Sequence, residues 1–327
     1  MLSGSLLLQN HPQLLYSVLK RVSFSDRKFG IVTFLLYFCA DMTQPRQLWS
    51  RLTPLYEEGE ARAIVMLLLE ERFGLTQADL YCGGLDTLPQ EQQNQLELLL
   101  RRLEQAEPVQ YVLGEAWFAG RKYHVGPGVL IPRPETEELC RMVAQEAPEH
   151  PDVLDIGTGS GCIAITLALD IRGAHVNAWD ISPKALQTAR KNAECLGAEV
   201  AFSLTDALQP PHDSDRWDII VSNPPYVCRS EAAGMAQHVL QHEPHEALFV
   251  DDDDPLLFYA SIARYATRAL RPGGRLYFEI NTAKGRETAA LLTQEGFADV
   301  AIRQDPFGLP RYAVATRPTN SPTPTQS

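Results

Sequence analysis

Residues 153–169 read VLDIGTGSGCIAITLAL: an apolar run, three glycines at alternate positions, and a second apolar run. A strand this rich in apolar residues, with a single aspartate, Asp155, ahead of the glycines, needs cover on both faces, which places it inside a sheet flanked by helices. The glycines at 157, 159 and 161 mark a tight turn without Cβ atoms, and the run from Cys162 is long enough to return as a helix. The chain repeats this plan downstream. Strands are predicted at 152–156, 174–179, 199–203, 217–222, 275–280, 299–303 and 311–316, and helices at 162–170, 183–196, 255–270 and 284–295. Such alternation predicts an α/β fold, a mostly parallel seven-stranded sheet with helices on both faces, over residues 131–316.

The preceding chain has a different period. Residues 61–73 (ARAIVMLLLEERF) and 91–103 (EQQNQLELLLRRL) place apolar residues three and four apart, as amphipathic helices do, with Gly74 set to stop the first and Pro89 to open the second. A small helical domain is expected over 42–113. At 114–130 Trp117, Phe118 and Tyr123 alternate with glycines, which predicts a β-hairpin linker to the α/β domain. Residues 29–40 (FGIVTFLLYFCA) follow Lys20, Arg21, Arg27 and Lys28, but the run is shorter than the ~20 residues that cross a bilayer, and the basic stretch lies too far from the start for a signal peptide. Residues 1–41 are expected to be a disordered or misassigned extension. The Pro/Ser/Thr-rich tail 317–327 is expected to be disordered.

Charge narrows the partners. The net charge of −12 divides into +2 on residues 1–41, −4 on 42–125 and −10 on 126–327. Binding to phosphate backbones needs clustered Lys and Arg, so no stable nucleic-acid binding is expected, and no membrane association. The six cysteines (39, 82, 140, 162, 195 and 228) include no C-x-x-C pair. That spacing gives neither a zinc site nor a disulfide framework, and points to free thiols in a cytoplasmic protein with no metal.

The glycine spacing discriminates between cofactors. A dinucleotide fingerprint reads G-x-G-x-x-G, whereas Gly157-Thr158-Gly159-Ser160-Gly161 brings the third glycine one residue early. The G-x-G-x-G form resembles the first motif of Rossmann-like methyltransferases, whose cosubstrate is S-adenosylmethionine (AdoMet). It sits at the carboxyl end of the first strand, where open α/β sheets seat ligands. Asp180 ends the second strand, 23 residues after Gly157, where a carboxylate can accept hydrogen bonds from both ribose hydroxyls; the alternative is a helix N-cap before Ser182-Pro183. Asp206 and Ala207 follow the third strand, in the region that lines the adenine in such folds, although Asp206 equally suits a simple turn.

The fourth strand runs WDIIVSNPPY and ends at Asn223-Pro224-Pro225-Tyr226. Two prolines hold the chain extended and remove two N–H donors, which leaves carbonyls free to accept. Alone, Asn-Pro is a common turn opener. After the fourth strand of a sheet that carries G-x-G-x-G, N-P-P-Y marks methyltransferases acting on a planar NH2 group: a glutamine amide, or the exocyclic amine of adenine or cytosine. The lone pair of such a nitrogen is delocalised. Acceptors from the Asn223 side chain and the Pro224 carbonyl would bind its two hydrogens, turn the lone pair toward the methyl carbon and stabilise the charge that develops. Tyr226 would stack on the planar group. The proton leaves after transfer, so no charged base is needed, and His238, His242 and His245 are expected to be surface or structural residues.

From residue 42 to 317 the chain resembles the bacterial and organellar release factor glutamine methyltransferases. The resemblance runs through EPVQYVLG (107–114), VLIPRPETEEL (129–139), DIGTGSG, NPPY, EPHEALF (243–249), DPLLFY (254–259) and LRPGG (270–274). It implies an AdoMet-dependent methyltransferase fold with an N-terminal helical domain that docks the substrate, and N5-methylation of the glutamine in the Gly-Gly-Gln loop of class-1 peptide chain release factors. It also implies AdoMet contacts from Gly157, Thr158, Gly159, Ser160, Gly161, Asp180, Ala207 and Asn223, and substrate contacts from Asn223, Pro224, Pro225 and Tyr226, with Asn223, Pro224 and Tyr226 catalytic. Ile131–Glu137 would flank the methionine end of AdoMet, or simply open a Pro-capped helix. Two departures from the family pattern occur: Glu279-Ile280 is followed by Asn281, with Lys284 at a later glutamine position, and Pro310 precedes Arg311 in the Asp305-x-x-Gly308 region. The alternatives are an adenine-N6 nucleic-acid methyltransferase and a non-catalytic AdoMet-binding protein.

Overall fold

The structure, a computed structural model, describes residues 43–319. The expectations for residues 1–41 and for the tail beyond 319 lie outside the described residues. The chain divides after Glu104 into two compact units.

The smaller unit is helical: α1 (Thr43–Ser50), α2 (Glu58–Phe73), α3 (Gln77–Tyr81) and α4 (Gln90–Glu104). Gly74 ends α2 in the left-handed conformation, with φ 66°. Leu68 and Leu69 of α2 and Leu100 and Leu103 of α4 are buried, the product of the three-and-four spacing. Arg51 fastens the polar side, with Nη1 2.7 Å from Glu97 and Nε 2.7 Å from Glu104.

The larger unit opens with α5 (Val109–Leu113) and the hairpin β1 (Glu115–Phe118) and β2 (Arg121–His124), followed by α6 (Pro134–Glu146). Helix α5 lies in this unit rather than with the helices before it. The reason is local: Tyr111 packs with Ala116, Val125, Val129 and Ile131, and its hydroxyl donates to the Val129 carbonyl at 2.6 Å.

The sheet follows, as β3 (Asp152–Ile156), α7 (Cys162–Asp170), β4 (His175–Asp180), α8 (Pro183–Leu196), β5 (Val200–Leu204) and β6 (Trp217–Ser222). An excursion carries β7 (Val227–Cys228), α9 (Gln237–His242) and β8 (Phe249–Val250). The chain then returns through α10 (Leu257–Ala269), β9 (Leu270–Glu279), α11 (Gly285–Gln294), β10 (Ala298–Gln304) and β11 (Pro310–Thr316). The seven strands lie in the order β10-β11-β9-β6-β3-β4-β5. Those from β9 to β5 are parallel, and β11 runs antiparallel to both its neighbours.

Alternation along β3 builds a core on each face. Val153 joins Ile163, Leu167, Val176 and Val221 on one side. Leu154 and Ile156 join Tyr259, Ile262, Ile220 and Phe278 on the other. Strand order reverses between β3 and β6. The carboxyl ends of those strands are where a doubly wound sheet opens to ligands. Both ends are fixed together: Ile156 pairs with Ser222, and the Ser222 hydroxyl donates to the Ile156 carbonyl at 2.6 Å.

Candidate active site

The glycine turn leaves β3 held from below by Trp179, whose carbonyl accepts the amides of Gly157 and Thr158, each at 2.9 Å. Gly157, Gly159 and Gly161 take φ of 77°, 55° and 83°, a region L side chains avoid. A Cβ on Gly157 or Gly159 would meet no protein atom within 4 Å, so this face of the turn is an open cradle. Gly161 differs, for a Cβ there would stand 2.9 Å from Ile165 and 3.1 Å from Ala189. The third glycine therefore serves helix packing and the first two serve the cradle. The side chains between them turn inward: Thr158 is 3% exposed and donates its hydroxyl to Asp155 at 2.6 Å, and Ser160 is 2% exposed. The open face of the turn is left to main chain.

Asp155 is wholly buried and also accepts the Ala164 amide at 3.2 Å; burial pushes its carboxyl up to about 7. Asp180 ends β4 with Oδ2 on the Gly159 amide and Oδ1 on the Ser182 amide, each at 2.8 Å. Burial raises its pKa. The N-cap of α8 is Ser182, which accepts from Ala185, so Asp180 braces the turn and the helix entry together. Asp206 accepts the Leu208 amide at 2.8 Å, the bond of a local turn, while the Ala207 carbonyl accepts Ser261 at 2.7 Å.

Next to this cradle Asn223 leaves β6. Adjacent strands lie about 5 Å apart, so the glycine turn and N-P-P-Y start side by side. The Asn223 Nδ2 donates to Thr136 Oγ1 at 3.3 Å, and Thr136 donates to Glu279 Oε2 at 2.6 Å. The Tyr226 hydroxyl donates to the other oxygen, Oε1, at 3.1 Å. Burial raises the Tyr226 pKa, so the phenol stays neutral. Among the described residues nothing donates to Asn223 Oδ1 or to the Pro224 carbonyl. Pro224 is buried and Pro225 partly so, which fixes the path of both carbonyls.

Several supporting residues have roles that the motifs themselves do not state. Asn192, 1% exposed on the apolar face of α8, donates to the Ser160 carbonyl at 2.8 Å and pairs with the His124 backbone. A polar residue in a run of helical core positions was the available sign. Glu243, buried at the start of EPHEALF, accepts the Ile131 amide at 3.1 Å and the Arg133 guanidinium at 2.6 Å, so it anchors the IPRPETE segment. Asn281, where the family pattern differs, donates to the Tyr226 carbonyl at 3.2 Å and to Glu231 at 3.1 Å. His242 and His245 contact the backbone carbonyls of Gln105 and Leu240. Among the described residues no cluster of His, Cys, Asp and Glu is arranged to hold a metal, and no helix is long and apolar enough to cross a membrane.

A mostly parallel sheet with this order, an open glycine cradle at its switch point and a carboxylate at the end of the next strand define the AdoMet-dependent methyltransferase class. The Methyltransferase small domain family matches residues 135–252, and the PrmC N-terminal domain matches residues 46–114. A release factor glutamine methyltransferase of Bacteroides thetaiotaomicron is 45% identical over 267 residues, 81% of this chain and 96% of its own. That of Flavobacterium psychrophilum is 42% identical over 79% of this chain and 92% of its own, and that of Neisseria gonorrhoeae 41% over 78% and 92%. The chain belongs to the release factor glutamine methyltransferase family.

Proposed function

We propose that this protein methylates the side-chain amide nitrogen of the glutamine in the Gly-Gly-Gln loop of class-1 release factors, in the cytoplasm, with AdoMet as methyl donor. One observation carries the reading: the open glycine cradle and the two uncommitted acceptors, Asn223 Oδ1 and the Pro224 carbonyl, leave paired, neighbouring strand ends. AdoMet supplies the methyl group. Gly157 to Gly161 would hold it through their backbone, with Thr158 and Ser160, whose side chains turn inward, offering only main chain; Asp180 would take the ribose hydroxyls and Ala207 would flank the adenine.

Asn223 Oδ1 and the Pro224 carbonyl accept the two hydrogens of the glutamine NH2. That directs the nitrogen lone pair at the cradle and stabilises the positive charge that grows on nitrogen. Pro225 keeps the strand exit extended and Tyr226 covers the amide plane, so the chain acts chiefly by positioning. Turnover is independent of a charged base on this reading, since the proton departs from an acidic product. The helical unit docks the release factor. The acidic balance of residues 42–327 disfavours stable binding to nucleic acid.

Incubation with methyl-labelled AdoMet and either a release factor or duplex DNA tests the reading. Label is expected on the glutamine of the release factor, located by mass mapping. Label on DNA alone, or on neither, defeats it. Asn223→Ala is expected to abolish transfer while AdoMet still binds, and full turnover by that variant would remove the amide clamp from the mechanism.

A further inference from the structure

Resting on that amide clamp, we propose that Thr136 and Glu279 are positioning residues that set the orientation of the Asn223 carboxamide, so that its oxygen and not its NH2 faces the acceptor. The two ends of a carboxamide are nearly equal in size and shape, so packing alone does not choose between its two flips. The wrong flip would point one NH2 at another and lose an acceptor from the clamp. Only a hydrogen-bond partner of fixed polarity can decide.

Thr136 supplies that partner, and Glu279 gives it polarity. A hydroxyl can donate or accept, so by itself it tolerates either flip. Here its single proton is committed to Glu279 Oε2 at 2.6 Å, which leaves only lone pairs toward Asn223. The group at 3.3 Å is accordingly Nδ2, and Oδ1 is turned outward. Glu279 Oε1 accepts Tyr226 at 3.1 Å, so one carboxylate orients both the amide and the ring.

The relay crosses three elements: Thr136 in the first turn of α6, Asn223 beyond β6, and Glu279 at the last position of β9. Thr136 is 3% exposed and Glu279 1%, so water does not substitute for either partner. A carboxylate at that depth is costly to hold, and both its side-chain contacts go to groups of the clamp or its relay. Burial raises the Glu279 pKa, and the hydrogen bonds from Thr136 and Tyr226, with the charge of Arg311 on β11, pull it back toward the ionised form that accepts from both. The Tyr259 hydroxyl donates to the Glu279 backbone carbonyl at 3.2 Å and fixes the strand end.

The test measures release-factor methylation kinetics and AdoMet affinity by calorimetry for Thr136→Val, Thr136→Ser, Glu279→Gln and Asn223→Ala. Valine keeps the shape of threonine without the hydroxyl, and glutamine lets the Thr136 proton swing either way. Both are expected to lower kcat about 10- to 100-fold, the cost of a small misplacement of reacting groups, with the AdoMet dissociation constant unchanged. Serine, which keeps the hydroxyl, should recover most of kcat. Wild-type kcat in Thr136→Val, a serine variant as slow as the valine one, or parallel loss of AdoMet binding in both would each overturn the proposal, the last in favour of a purely structural role. An inactive Asn223→Ala beside a fully active Thr136→Val sinks the relay alone. A fully active Asn223→Ala sinks the clamp and the relay with it.

Discussion

Asp180 has two backbone amides to hold besides any ribose. Its oxygens take the Gly159 and Ser182 N–H groups at 2.8 Å, and each oxygen keeps a lone pair beyond the one those bonds use. Asp180→Ala should therefore weaken AdoMet binding about 10- to 100-fold, since hydrogen bonds to a charged group are each worth about 1.5–3 kcal/mol. Asp180→Asn should fall between, because a carboxamide oxygen keeps one acceptor and its NH2 cannot take the other N–H. Calorimetry giving an unchanged dissociation constant for the alanine variant would refute the ribose contact. The sequence offered two readings of this residue, ribose ligand or helix cap. The structure gives the cap to Ser182, and the aspartate adds a brace on Gly159 that its position in the sequence did not disclose. Thr136, Asn192 and Glu279 were equally hidden. Each acts through partners between 32 and 143 residues away, and no local pattern encodes such a contact.

The turn between β3 and α7 shows why elements were easier to read than contacts. The bounds of β3, α7, α8 and β6 coincide with those expected, because a buried strand, a glycine turn and a proline at N1 are local signals. For α6 the sequence offers only a Pro-capped start, and the short pair β7–β8 has no local signal, since two residues per strand leave no period to detect. The glycines were legible as a group but not in their separate duties. Gly161→Ala would strain the backbone by about 1–2 kcal/mol and add about 1–3 kcal/mol of overpacking against Ile165 and Ala189. It should lower the unfolding midpoint markedly. Gly157→Ala, with open space around its Cβ, should cost only the backbone strain and show its main effect as weaker AdoMet binding. Equal melting temperatures for the two variants would contradict that division of labour.

For the molecule as a whole, one buried acid links stability to pH. Burial raises the Asp155 carboxyl from the ordinary range to about 7. The folded state then holds its proton more tightly than the unfolded chain, so this contribution to stability is full in acid and fades as pH climbs from about 4 to about 7. Relative to Asp155→Asn, which does not titrate, the native protein should lose up to about 4 kcal/mol of unfolding free energy across that window. A constant difference in denaturant titrations at pH 4, 5.5 and 7 would mean that the acid titrates normally. The bond between Asp180 and Gly159 also bears on redesign. On the proposed reading, an engineer who wished this enzyme to take an analogue with an altered sugar would look first to position 180, yet a replacement lacking two acceptors there also loosens the glycine turn. Retooling has to begin elsewhere on the rim, with the aspartate left in place.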